Sequence, residues 1–102
     1  MTKINPDQFG LPQSTFDALL NTFTTFPDIN WVKLYGSRAL GTYQKGSDID
    51  IAYSGPVTIN AALLAQLEEL STPYCFDVTH YNSITEQGFK THIDTHGIVI
   101  YP

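Results

Sequence analysis

The chain has 102 residues, enough for one domain and little more. Apolar residues make up 42% and aromatics 13%, which excludes a disordered chain. The formal net charge is −5 with only five Lys and Arg, so no basic face is available for a stable complex with duplex nucleic acid. A nucleotide is not excluded, because a metal ion can neutralise its phosphates.

Residues 1–11 read as an extended lead-in punctuated by Pro6 and Gly10. A helix is predicted over 12–26, where Phe16, Leu19, Leu20 and Phe23 form one apolar stripe. Pro12 suits its first turn, and Pro27 and Asp28 stop it. A strand over 30–35 ends at Gly36, a short helical turn fits 37–40, and 41–47 is a polar loop. A second strand over 48–53 is closed by Ser54, Gly55 and Pro56. The second long helix, 59–70, puts Ile59, Ala62, Leu63, Leu67 and Leu70 on one face. A third strand covers 74–80, and a last helix over 83–96 turns Ile84, Phe89 and Ile93 inward, with Gly97 as its C′ residue. Residues 98–101 form a final strand.

Helices interleaved with strands in this way predict an α+β fold, a small mixed β-sheet with helices packed on it. The loop between the first two strands is too short for a helical crossover, so that pair is expected to be antiparallel. The whole of 1–102 reads as a single domain. Cys75 is the sole cysteine, which excludes an internal disulfide. Its neighbours Tyr74 and Phe76 predict a buried packing residue. No apolar run reaches membrane-spanning length, and the N-terminus lacks the apolar region of a secretory signal. A soluble cytoplasmic protein without a membrane partner is expected.

Chemistry concentrates around the second strand. Alternation places Asp48 and Asp50 on one face, about 7 Å apart at Cα. Adjacent carboxylates repel and lose hydration when covered, and Asp is a poor strand former. A hard divalent cation, Mg²⁺ or Mn²⁺, would offset that cost. Taken alone, the triplet favours the plainer reading of a solvated acidic sheet face. Upstream, Gly36 and Ser37 end a strand and open a helical turn, which presents backbone N–H groups and a hydroxyl to a phosphate. By itself, Gly-Ser after a strand is more often an ordinary turn. It is not a Walker A loop, which ends in Gly-Lys-Ser/Thr, nor a dinucleotide fingerprint, because Gly36 and Gly41 are wrongly spaced. The two elements lie on successive strands with ten residues between Ser37 and Asp48. That combination shifts the reading to a joint phosphate and metal site.

The run Gly36-Ser37-Arg38-Ala39-Leu40-Gly41, continued by Gly46-Ser47-Asp48-Ile49-Asp50, resembles the signature of the DNA polymerase β-like nucleotidyltransferase superfamily. That signature is Gly-Ser, ten residues, then Asp-x-Asp. More narrowly the chain is similar to the minimal nucleotidyltransferases, small members of about this length, and the likeness in element order covers most of it. The resemblance implies that Gly36 and Ser37 hold a triphosphate and that Asp48 and Asp50 bind metal. It also implies a third carboxylate from a later strand, for which Asp77 is the best candidate. An Asp among Cys75, Phe76 and Val78 otherwise needs a Lys or Arg partner. Two ions so held would bind the α-phosphate, the attacking oxygen and the leaving pyrophosphate.

Arg38 and Lys45 are the cations near the motif and candidates for phosphate contact, Arg being better suited to a bidentate one. The alternative for both is a solvated loop charge. Ser47 is a further candidate nucleotide contact that also fits a cap on the turn before Asp48. Trp31, Tyr35 and Tyr43 offer rings for a base. His80, His92 and His96 have no spacing that makes a convincing zinc site.

The acceptor is read from the resemblance alone. Minimal nucleotidyltransferases are often encoded beside HEPN-domain ribonuclease toxins, bind them, and transfer AMP from ATP to a toxin tyrosine. The resemblance therefore implies a protein adenylyltransferase that acts as an antitoxin in a hetero-oligomer with a HEPN toxin. One alternative is a non-catalytic nucleotide-binding module that neutralises its partner by occlusion; intact Gly36, Ser37, Asp48 and Asp50 argue against it. Another is transfer to a small molecule, whose enzymes usually carry an extra helical domain that this length does not hold.

Overall fold

The computed structural model describes residues 4–102, and its first element falls inside the stretch expected to be extended. The Asn5 side chain accepts the Asp7 N–H at 3.0 Å, and a 3₁₀ turn follows over Pro6–Phe9. It closes at Gly10, whose φ of 68° lies in the left-handed region. This turn is made by local capping, so apolar periodicity could not reveal it. The part of the expected lead-in at 1–3 lies outside the described residues.

Helix α1 (Gln13–Thr24) buries Phe16, Leu19 and Phe23 of the expected stripe, and the fourth member, Leu20, is half-buried against the same core. Four strands follow: β1 (Trp31–Tyr35), β2 (Ile49–Ser54), β3 (Phe76–His80) and β4 (Ile98–Tyr101). Between them lie α2 (Ser37–Leu40), α3 (Asn60–Glu68) and α4 (Gln87–His96). The sheet order is β3-β2-β1-β4. β1 pairs antiparallel with β2, as the short connection requires, and also with β4. β2 and β3 are parallel, joined by the crossover through α3. The sheet is therefore mixed, as expected.

Strand alternation separates two faces. Val32, Leu34, Ile49, Ile51 and Tyr53 are buried in one cluster with Leu19 and Phe23 of α1 and Leu63 and Leu67 of α3. Each such Leu or Ile contributes roughly 1.5–3 kcal/mol by burial. On the other face Tyr35 and Ala52 meet Ile93 of α4, with Tyr81, Ile84 and Phe89 packed around them.

Three further expectations need correction. The last helix begins at Gln87, not near Ser83, because a 3₁₀ turn over Tyr81–Ser83 precedes it and the Glu86 side chain caps its first N–H groups. Gly97 caps that helix with φ −66°, outside the left-handed region, since β4 starts at the next residue. Cys75 is exposed; it directly precedes β3, whose first residue, Phe76, takes the buried position. Among the described residues, no helix is long and apolar enough to cross a membrane.

Candidate active site

β1 ends at Tyr35 and the chain reverses at Gly36, with φ 76° and ψ −155°. Side chains rarely adopt that conformation. A Cβ here would also overlap the Asp50 carboxylate, which would have to turn away. α2 then starts at Ser37. A first helical turn leaves its N–H groups without intrahelical acceptors, here those of Ser37, Arg38 and Ala39. Leu40 N–H is already satisfied by the Gly36 carbonyl at 3.1 Å.

Strand register assembles the carboxylates. Tyr35 lies opposite Asp50 in the antiparallel pair, and Asp50 lies opposite Asp77 in the parallel pair. Register partners share a face, so Tyr35, Asp50 and Asp77 stand side by side across three strands. Asp48 sits just before β2, exposed at the edge of the group. Asp77 is also exposed and Asp50 is half-buried.

Burial pushes the Asp50 carboxyl above its usual range, and the charges of Asp77 and then Asp48 push it further. Arg38 alone pulls it down. The Tyr35 hydroxyl is 3.0 Å from Thr79 Oγ1. Its pKa is raised chiefly by burial and also by Asp77 and Asp50, against the hydrogen bond to Thr79. Tyr35 is thus a neutral phenol in the wall beside the carboxylates. It packs edge-on to Phe89 and is buried, so it offers no free face to a base.

Among the described residues, no group of three His, Cys, Asp or Glu side chains stands close enough together to hold a metal ion as placed. The donor set of Asp48, Asp50 and Asp77 still fits a hard divalent cation. It consists of oxygens only, on neighbouring elements, and its members repel one another in a way that a cation would relieve.

Arg38 corrects the sequence reading. It is 2% exposed. Its Nη1 donates to the Phe9 carbonyl at 2.9 Å, and Nε and Nη2 donate to the Ser47 carbonyl at 3.2 and 2.8 Å. The guanidinium lies over the rings of Tyr74 and Tyr43, 5.0 and 5.3 Å from their centroids. Its donors are spent on main-chain carbonyls, so the residue expected to grip phosphate instead ties the 3₁₀ turn to the loop that carries Asp48. A four-residue helix has no periodicity that would reveal this burial.

Ser47 caps its turn as expected, accepting Gln44 N–H on Oγ at 2.8 Å. Lys45 is exposed on the same loop. It lines a cleft of about 290 Å³ with Arg38, Tyr43 and Tyr74. Trp31 stands at the opposite end of β1 from Tyr35, edge-on to Tyr81. The His92 and His96 rings lie 5.3 Å apart on α4. His80 bridges the Gly55 carbonyl and the Ser83 hydroxyl. Thr79 lies outside the motif, although alternation from Asp77 places it on the carboxylate face.

A family model described as "Polymerase beta, Nucleotidyltransferase" matches residues 17–102. No curated protein gives a significant match. Among solved structures, a toxin-antitoxin crystallised with AMP-PNP is similar at a TM-score of 0.68 and 22% identity, over 89% of this chain and 73% of that one. The toxin-antitoxin MntA-HpeT, in a mutant with two Asp to Glu replacements, is similar at 0.67 and 20%, over 89% and 73%. A Sulfolobus solfataricus protein described as a candidate nucleotidyltransferase is similar at 0.56 and 18%, over 97% and 89%. At these identities the likeness establishes a shared fold.

Proposed function

The chain belongs to the polymerase beta nucleotidyltransferase family, and from that premise we propose that it transfers AMP from ATP to a tyrosine hydroxyl of a HEPN-type toxin, as a cytoplasmic antitoxin. One observation carries the transferase part: the register that puts Asp50 opposite Asp77, with Gly36 held open against the Asp50 carboxylate. The toxin partner is supported by the two toxin-antitoxin structures that share the fold, one of them holding AMP-PNP. The HEPN class and the tyrosine rest on the sequence resemblance.

Asp48, Asp50 and Asp77 would hold the divalent ions, Mg²⁺ or Mn²⁺. When bound, these supply charge neutralisation at the phosphates and a more acidic acceptor hydroxyl. Gly36 lets the main chain approach the triphosphate closely. The N–H groups of Ser37, Arg38 and Ala39, with the Ser37 hydroxyl, orient its oxygens. Lys45 and Ser47 lie on the loop beside that path and are assigned to the nucleotide. Arg38 is a positioning residue, because it fixes the Ser47 carbonyl and hence the loop bearing Asp48.

Asp77, exposed on the outer strand β3, takes the acceptor proton. The freed oxygen bonds the α-phosphorus while the bond from that phosphorus to the bridging oxygen breaks. Pyrophosphate leaves with the electron pair. Catalysis then rests on alignment and on charge placed in advance.

The test is transfer of label from ATP labelled at the α-phosphate to the partner toxin with Mg²⁺. Wild-type protein is expected to label a tyrosine and Asp48→Ala to label none. Equal labelling by Asp48→Ala would remove the mechanism. Neutralisation of the toxin by an unlabelling Asp48→Asn/Asp50→Asn double variant would favour occlusion instead.

A further inference from the structure

β3 is an edge of the sheet, paired on one side only, with β2. The Ile49 N–H donates to the Cys75 carbonyl at 2.9 Å. That bond fixes the parity of the strand. The main-chain groups of Cys75, Asp77 and Thr79 turn toward β2, so those of Phe76, Val78 and His80 turn outward. Such an unpaired row is a template for another chain.

The edge lies at the floor of an open cleft of about 500 Å³, lined by Val78, Thr79 and His80. One wall is Val57, in the 3₁₀ turn over Val57–Ile59, and Asn60, the first residue of α3; the other is Ile84, before α4, and Phe89 within it. Val57 is 57% exposed, an apolar side chain with no cover. Asn60 Oδ1 is buried and, among the described residues, has no hydrogen-bond partner.

We propose that this edge docks the acceptor, an extended polypeptide segment that adds to β3 as a further strand and sets its hydroxyl beside Asp77. The inference rests on the transferase reading above. A polypeptide is the fitting occupant because alternating N–H and C=O groups at strand spacing are matched by another main chain, whereas a small molecule would satisfy one pair at most. An added strand lies about 4.8 Å from β3, so its residue in register with Asp77 stands as near to that carboxylate as Asp50 does on the other side. The acceptor hydroxyl gives its proton to Asp77, its oxygen bonds the α-phosphorus of the nucleoside triphosphate, and pyrophosphate departs with the electron pair. Alternate side chains of the segment fall toward Val57 and Asn60.

The experiment uses the whole wild-type chain and an array of tyrosine-bearing peptides with random flanks. Each peptide is made in three forms: unmodified, N-methylated at odd positions from the tyrosine, and N-methylated at even positions. Binding of ATP with Mn²⁺ is first read by thermal shift, and labelling from α-labelled ATP is then measured. Strand addition uses the N–H groups of one frame only. Methylation in that frame is expected to lower labelling about tenfold or more, and methylation in the other by less than about twofold. The Val78 and His80 amides should also exchange more slowly when a labelled peptide is bound. Equal sensitivity in both frames would overturn the proposal. So would ATP binding with no peptide labelled, or an edge-to-edge dimer of this chain that the peptides cannot dissociate. Absence of ATP binding would bring down the transferase reading itself, and the docking site with it.

Discussion

Ile51 and Asp50 are neighbours in β2 and face opposite sides of the sheet. Ile51 is fully buried in the cluster with Leu19 and Leu67. Asp50 lies half-buried beside two other carboxylates, and burial first, then their charges, raise its pKa. The period of two in a strand thus assigns alternate residues to the core and to the carboxylate face. One face gains from every contact it makes. The other holds like charges together at a loss, and that loss is what a bound cation would recover.

The sharpest way to break the comparison is Asp50→Asn. Transfer is expected to fall by about 10²–10³-fold or more in the α-label assay, while the thermal midpoint at neutral pH rises. The sign follows from the raised pKa. The stability that Asp50 contributes is fully present below the ordinary Asp range, where it is protonated, and is lost as pH rises through its elevated value. The midpoint gap between variant and wild type should therefore open with rising pH and close in acid. Mg²⁺ should narrow it at neutral pH by raising the wild type alone. A midpoint that falls in the variant at neutral pH would contradict the account of this face.

Leu19→Ala tests the opposite face. It is expected to cost about 2–5 kcal/mol in denaturant unfolding, with little change in labelling per folded molecule. Arg38→Met leaves the Phe9 and Ser47 carbonyls without their donor and should cost about 2–3 kcal/mol. If the lost activity returns on lowering the temperature, the residue positions the loop; if KM for ATP alone rises while stability holds, it contacts phosphate after all. Tyr35→Phe removes only the hydrogen bond to Thr79 and should cost about 0.5–1.5 kcal/mol, with transfer nearly intact.

Much of this was legible from residue order. Phe16, Leu19 and Phe23 mark the buried stripe of α1 because helical spacing is a local property. The short connection between β1 and β2 forced their antiparallel pairing, and the separation of Ser37 from Asp48 put the Gly-Ser turn and the acidic pair on adjoining strands. The charge of Arg38 is visible in sequence and suggests a phosphate ligand, whereas its burial between Tyr43 and Tyr74 is not visible there. The apolar neighbours of Cys75 suggest burial, but its position just outside β3 leaves it exposed.

By itself, then, the sequence determined the elements, the two-faced strands and the spacing that brings Gly36 against Asp50, since these follow from local geometry and a short connection. Tertiary structure decided the rest. The crossover through α3 sets β3 parallel to β2 in the one register that faces Asp77 to Asp50. It also makes β3 an edge and opens the cleft beside it. Pairing between strands so far apart in the chain depends on how a whole helix packs, and no short run of residues encodes that.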